Sequence, residues 1–204
     1  MEADFWHERW QKGETGFHQI RPHEALEHFW STLGLAPGAR VFVPLAGKSL
    51  DLVWLAEQGC DVVGIELSAI AVRDFYQAHG AHPQIELRCG DFFDLTPDTL
   101  GRIDAVFDRA SLVALPPAMR ERYATQLSTL TTSGTRTLLV TMEYEQSQMR
   151  GPPHAVWPDE VQKLYGATHE IVDLGCNDAL EDAARFAARG VNPISERRYR
   201  LTRR

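Results

Sequence analysis

The residues with the clearest chemical content are a short segment, residues 41–49, and one carboxylate further along, Glu66. The segment is an apolar run that ends in a turn containing Gly47, and Glu66 closes a second apolar run. In an open α/β sheet, ligands bind outside the carboxyl ends of the strands, and an acid about twenty residues after the first turn can accept hydrogen bonds from ribose hydroxyls. The spacing therefore predicts a nucleoside site.

Three interpretations of this segment are considered, each with a different nucleoside ligand. Residues 47–49, Gly-Lys-Ser, look like the end of a phosphate-binding loop, but the glycine that this loop needs five residues before Gly47 is Phe42. A dinucleotide fingerprint needs three glycines, and residues 44–47 supply one. S-adenosylmethionine has a ribose but no phosphate, so a single tight turn suffices. The residues therefore favour S-adenosylmethionine.

Two further strand ends carry charged side chains. Asp91 follows the third predicted strand, where its carboxylate and a neighbouring backbone N–H are placed to meet the edge of an adenine ring; an ordinary turn role is the alternative. Asp108 and Arg109 follow the fourth strand, and we expect their charges at the mouth of the crevice, or else a buried ion pair. The alternative for Glu66 is a surface acid that precedes a helix.

The elements that must position these residues alternate between strands and helices. Such alternation predicts a parallel sheet with right-handed crossovers. Two later strands are expected at one sheet edge, one of them antiparallel. Two helices are expected to precede the sheet, at residues 2–12 and 21–33, and Ser49 is expected to cap the helix after the first strand. The predicted strands are residues 40–44, 61–66, 84–89, 103–108, 135–142, 170–174 and 194–201.

Composition excludes several classes of function. A net charge of −7 and a pI near 5.6 argue against a nucleic-acid partner. The three cysteines form no CxxC pair, which is typical of a reducing cytoplasm. No apolar run approaches the roughly 20 residues of a membrane span. The eight histidines show no ligand spacing, so we expect no metal.

A set of separated motifs resembles the thiopurine S-methyltransferase family over nearly the whole chain. The motifs are residues 4–10 (DFWHERW), 16–19 (GFHQ), 43–49 (VPLAGKS), 64–66 (GIE), 107–112 (FDRASL), Tyr123 and 151–153 (GPP). The resemblance implies a Rossmann-like class I methyltransferase fold, α/β, with a mostly parallel seven-stranded sheet flanked by helices. It also implies one domain, in which residues 1–36 form an N-terminal helical lid over the core, residues 37–204.

The resemblance also implies roles for individual residues. The positions expected to bind the cofactor, S-adenosyl-L-methionine, and its product S-adenosyl-L-homocysteine are Trp10, Leu45, Gly47, Glu66, Asp91, Phe92 and Arg109. Phe17 is placed beside the acceptor, and Arg185 matches a substrate-side arginine. Because a thiolate needs no strong base, we expect no obligatory catalytic residue. The candidates for positioning the acceptor are Phe17, His18, Arg109 and Arg185, and Trp6 and Trp30 are candidates to wall an apolar pocket beside Phe17.

The expected activity is methyl transfer to a sulfur, selenium or tellurium nucleophile of a small molecule, by a cytoplasmic monomer. Methylation of halide, oxygen or nitrogen acceptors on the same scaffold is one alternative, and a non-catalytic cofactor-binding module is another. Two departures from the family pattern bear on this. Ala46 replaces a usual cysteine, with little expected effect, and the short region 75–86 lacks an insertion that many relatives carry on the acceptor side. The sequence therefore does not identify the methyl acceptor.

Overall fold

The computed structural model of the chain describes residues 3–178 and 180–204, with the backbone alone for residues 180–183. One seven-stranded sheet organises these residues, in the order β3-β2-β1-β4-β5-β7-β6. The strands are β1 (Arg40–Val43), β2 (Asp61–Glu66), β3 (Ile85–Cys89), β4 (Ala105–Arg109), β5 (Arg136–Glu143), β6 (His169–Asp178) and β7 (Ser195–Arg203). The first five are parallel, and β7 runs antiparallel to both β5 and β6.

Helices connect and cover the strands. They are α1 (Ala3–Gln11), α2 (Glu24–Phe29), α3 (Asp51–Glu57), α4 (Ala69–His79), α5 (Pro97–Leu100), α6 (Pro117–Leu130), α7 (Pro158–Tyr165) and α8 (Leu180–Ala187). Local chemistry fixes several ends. The Ser68 hydroxyl accepts a hydrogen bond from the Ala71 N–H at the start of α4. Proline in the first turn of α6 suits a position whose N–H has no helical partner.

The two faces of the sheet bury separate apolar clusters. Successive residues of β1 belong to opposite clusters: Val41 and Val43 face one side, together with α2, and Phe42 faces the other, together with α6. This alternation follows from the two-residue period of a strand. The chain order of the strands reverses between β1 and β4, and such a switch point opens a crevice at the carboxyl ends of the strands.

The mostly parallel seven-stranded α/β sheet that the sequence predicts is confirmed, including the antiparallel strand near one edge. The ends of some elements differ. Helix α2 begins at Glu24 and not at residue 21, because the His23 side chain accepts from the Ala25 N–H (3.2 Å) and caps the helix there. Leu50, not Ser49, is the residue before α3, although the Ser49 hydroxyl still accepts from the Asp51 N–H at 3.1 Å.

Candidate active site

A cavity of about 570 Å³ lies at the carboxyl ends of the strands. This volume falls in the range of small-molecule sites. Its walls come from the segments that follow β1, β2, β3 and β4, from the loop at residues 151–153, and from α1 with the loop after it. The ten positions expected to bind the cofactor or to position the acceptor all line this cavity: Trp10, Phe17, His18, Leu45, Gly47, Glu66, Asp91, Phe92, Arg109 and Arg185.

The turn after β1 is held by Glu66 from the neighbouring strand. The Gly47 N–H donates to Glu66 Oε2 at 2.9 Å, and the Ser68 N–H donates to Glu66 Oε1 at 2.7 Å. Leu45 (φ 46°) and Gly47 (φ 57°) both adopt left-handed backbone, which makes the turn tight. Burial raises the pKa of Glu66, and these two N–H donors oppose the rise. The Leu67 N–H adds a third backbone hydrogen bond, and a carboxylate has about four acceptor sites, so Glu66 can still accept from a further donor.

Aromatic side chains of the N-terminal segment cover this turn. Trp10 is 5% exposed, and a Cβ added to Gly47 would lie 3.5 Å from the Trp10 ring, so the ring rests directly on the turn. Phe17 meets both Trp6 and Trp10 edge-on, with ring centroids 5.6 Å apart in each pair. Trp30 does not belong to this wall, since it is buried in the core cluster beneath α2.

The segment after β3 supplies a polar and an aromatic group. The Phe93 N–H donates to Asp91 Oδ1 at 2.8 Å, so one oxygen serves the turn. Within residues 3–178 and 180–204, the other Asp91 oxygen has no hydrogen bond. Phe92 is 4% exposed, and its ring centroid lies 4.8 Å from that of Tyr123 on α6. Asp91 therefore combines the turn role with a free acceptor facing the cavity.

The end of β4 differs from the expectation. Asp108 lies inside the strand and is fully buried, so its charge is not at the mouth of the crevice. It does not pair with Arg109 either; the Tyr123 hydroxyl donates to Asp108 Oδ2 at 2.7 Å. Only Arg109 reaches the cavity, and no described residue holds its guanidinium by a hydrogen bond or ion pair. Arg109 is therefore available to an anionic ligand.

The acceptor-side candidates meet at the same cavity. Burial lowers the pKa of His18, and the positive charges of Lys48 and Arg109 lower it further, so its imidazole is neutral near pH 7 and can accept a proton. Arg185 lies 4.7 Å from the ring centroid of Phe186 and faces the loop at Gly16. Sequence reasoning missed Arg189, which also lines the cavity; its position four residues after Arg185, one helical turn, was the available signal.

The short connection between α4 and β3 does not form part of the walls. No described residue from 68 to 89 lines the cavity. Region 75–86, which lacks the insertion that many relatives carry, therefore contributes no wall on the acceptor side of this cavity.

Asp108→Asn is expected to change the pH dependence of stability. Burial raises the pKa of Asp108 from 3.8 to about 6, so folding favours the protonated form. The stability that this group contributes is complete below its unfolded pKa and is lost as pH rises through its folded pKa. The unfolding free energy of the variant minus that of the wild type should therefore grow by about 2 kcal/mol between about pH 4.5 and 7. Urea unfolding of both proteins at the two pH values measures this difference in unfolding free energy. A difference that does not change with pH would refute the raised pKa of the buried Asp108.

In the described parts of the chain, no three His, Cys, Asp or Glu side chains are grouped so that they could hold a metal ion. Nor does any described helix combine the length and apolar character needed to cross a membrane.

The sequence comparisons agree on one family, and a structural comparison shows the fold. The family model described as thiopurine S-methyltransferase matches residues 1–204. The thiopurine S-methyltransferase of Azotobacter vinelandii is 46% identical over 218 residues, covering 100% of both chains. That of Bordetella petrii is also 46% identical, covering 100% of this chain and 99% of its own. A solved S-adenosylmethionine-dependent methyltransferase from Anabaena variabilis shares the fold, with a TM-score of 0.67, 12% identity and coverage of 99% and 95%.

Proposed function

The chain belongs to the thiopurine S-methyltransferase family, and from its cavity we propose that it transfers a methyl group from S-adenosylmethionine to a sulfur, selenium or tellurium nucleophile of a small molecule. It is accordingly an S-adenosylmethionine-dependent methyltransferase. The observation that carries the proposal is the meeting, in one cavity, of the turn held by Glu66 and the guanidinium of Arg109.

The residues of the cavity fit a nucleoside without phosphates. Glu66 is 7% exposed and offers remaining acceptor capacity to ribose hydroxyls beside the left-handed turn at Gly47. The free oxygen of Asp91 and the backbone at Phe92 suit the edge of an adenine ring. Trp10 and Leu45 supply apolar cover on either side of the turn. When bound, S-adenosylmethionine supplies an electrophilic methyl group on a positively charged sulfur.

The acceptor side combines cations with apolar walls. Arg109, Arg185 and Arg189 face the cavity and attract an anionic nucleophile, while Phe17 and Met142 exclude water. His18, neutral near pH 7, can take a proton from an acceptor thiol. Positioning two reactants in near-attack geometry is worth ~7–11 kcal/mol, so this arrangement needs no further catalytic group.

The N-terminal segment acts as a lid in this proposal. Residues 1–36 would cover the cofactor that the core, residues 37–204, holds from below, within a single domain; residues 1, 2 and 179 of these ranges lie outside the described residues. The packing of Trp10 against Gly47, and of Phe17 against Trp10, supports this role. We also propose a cytoplasmic monomer, in keeping with the free thiols of Cys60, Cys89 and Cys176.

Trp10→Ala should weaken S-adenosylhomocysteine binding about tenfold, or ~1.4 kcal/mol, because the removed ring covers the turn at Gly47. Isothermal titration calorimetry measures the change. Trp157→Ala is the matched control, since Trp157 is 46% exposed and does not line the cavity. Equal affinity of the two variants for S-adenosylhomocysteine would show that the N-terminal segment does not act as a lid over the cofactor.

A panel of acceptors tests the proposed chemistry. Purified protein with methyl-labelled S-adenosylmethionine is offered aromatic thiols, small aliphatic thiols, selenite, iodide and phenols, and methylated products are identified by mass spectrometry. Thiols or selenium compounds should give the fastest turnover. Faster methylation of iodide or phenols would reassign the acceptor class, and cofactor binding with no product from any acceptor would indicate a non-catalytic binding module.

A further inference from the structure

A buried polar group lies directly behind the cavity. It consists of Tyr123 on α6, Asp108 at the end of β4, and Ser111 just after it, and all three residues are fully buried. The Tyr123 hydroxyl donates to Asp108 Oδ2 at 2.7 Å. The Ser111 hydroxyl donates to the backbone carbonyl of Pro44 at 2.8 Å. None of the three lines the cavity, so any effect on a ligand must pass through other residues.

Each member of the group contacts or adjoins a different segment of the cavity wall. Through Pro44, Ser111 holds the turn that begins at Leu45 (φ 46°). The Tyr123 ring packs on Phe92, with centroids 4.8 Å apart. Asp108 is joined to Arg109, and the next residue, Ala110, has a φ of 65° that a non-glycine residue keeps only when its surroundings impose it.

Stability alone does not explain such a group. Burying a carboxylate is costly, and well-packed apolar side chains of similar volume would stabilise a core as well or better. Asp108 Oδ1 is buried without a hydrogen-bond partner among the described residues, which adds to the cost. Directional bonds, in contrast to apolar contacts, fix relative position and orientation.

We propose that Tyr123, Asp108 and Ser111 are positioning residues, which hold Leu45, Phe92 and Arg109 in a fixed mutual arrangement. In the proposed function, on which this inference rests, Leu45 and Phe92 lie on the cofactor side and Arg109 reaches the acceptor. The group therefore sets the distance and angle between the two reactants. A displacement of about 1 Å in such an arrangement costs on the order of 100-fold in rate.

Paired tyrosine variants test the proposal. Tyr123→Phe keeps the ring on Phe92 but removes the bond to Asp108. Tyr165→Phe is the matched control: Tyr165 is equally buried, but its hydroxyl has no partner among the described residues. We expect Tyr123→Phe to lower kcat at least tenfold at saturating cofactor and acceptor, with a smaller change in KM, and Tyr165→Phe to stay within about twofold.

Two substitutions of the carboxylate separate positioning from packing. Asp108→Asn still offers an oxygen to the Tyr123 hydroxyl and should keep kcat within about threefold of the wild type. Asp108→Leu offers no acceptor to the Tyr123 hydroxyl and should lower kcat by as much as Tyr123→Phe does. Equal losses in the Asn and Leu variants, or equal losses in the two tyrosine variants, would overturn the proposal.

A second readout does not depend on turnover. In amide NMR spectra, Tyr123→Phe should shift or broaden the signals of Leu45, Phe92 and Arg109 together, and Tyr165→Phe should leave them in place. Unchanged signals in Tyr123→Phe would overturn the proposal that the group positions Leu45, Phe92 and Arg109. If the wild type itself neither binds S-adenosylhomocysteine nor methylates any acceptor, the proposed function fails, and the spectra still decide whether the group holds the loops.

Discussion

Glu66→Ala should weaken S-adenosylhomocysteine binding by ~3 kcal/mol, roughly 150-fold. The loss has two parts. A buried acceptor for the ribose hydroxyls disappears, and the Gly47 and Ser68 N–H groups lose the carboxylate that fixes the turn. Truncating one partner of a buried hydrogen bond costs more than the bond contributes, because the other partner stays desolvated.

Calorimetry with matched variants separates these parts. Glu86→Ala is the control, because Glu86 sits on the adjacent strand but is exposed and paired with Arg88. Glu66→Gln keeps an acceptor for one backbone N–H, and its affinity for S-adenosylhomocysteine should lie between those of Glu66→Ala and the wild type. An affinity for Glu66→Ala within threefold of that of Glu86→Ala would exclude Glu66 from the binding site.

Arg109→Ala should lower kcat/KM for an anionic thiol acceptor by roughly 30- to 150-fold, or ~2–3 kcal/mol, the range for a lost hydrogen bond to a charged group. Arg109 lines the cavity and makes no hydrogen bond or ion pair with a described residue, so its donors are available to reacting partners. Arg109→Lys keeps the charge without the planar fork and should recover part of the loss.

Steady-state kinetics across acceptors of different charge measure this effect. The control is Arg102→Ala, since the Arg102 side chain is 85% exposed and pairs with Asp104. Equal kcat/KM in the Arg109 and Arg102 variants, for charged and neutral thiols alike, would remove Arg109 from the site.

The sheet could be predicted from sequence because parallel buried strands carry a strong local signal. The run of apolar residues in β2 ends at Glu66, and the same run fixes both the strand and the place of its carboxylate. The turn at Gly47 could be predicted for a similar reason, since a glycine after a buried strand indicates a residue with left-handed backbone conformation. The carboxyl ends of the parallel strands converge on one edge, so the strand-end residues of the cavity followed from topology. Trp10, Phe17 and Arg185 lie on no strand, and only the family resemblance assigned them to the site.

Long-range contacts decide what the sequence did not show. Whether Asp108 faced solvent, Arg109 or Tyr123 depended on how α6 packs over β4, and nothing near Asp108 in the chain records that packing. Trp30 looked equally suited to a pocket wall and to the core, because an aromatic residue on an apolar helix face fits both. The start of α2 depends on the N-cap at His23, and histidine is not among the residues that usually cap a helix.

Titration of the wild-type protein with S-adenosylhomocysteine decides whether the cavity is a nucleoside site without a phosphate cradle. Calorimetry should give a single site with a dissociation constant in the micromolar range or tighter, about −8 kcal/mol, while ATP and NAD give no heat. Absence of binding to S-adenosylhomocysteine at about 1 mM, the concentration at which even a −4 kcal/mol interaction half-saturates, would rule out this nucleoside site.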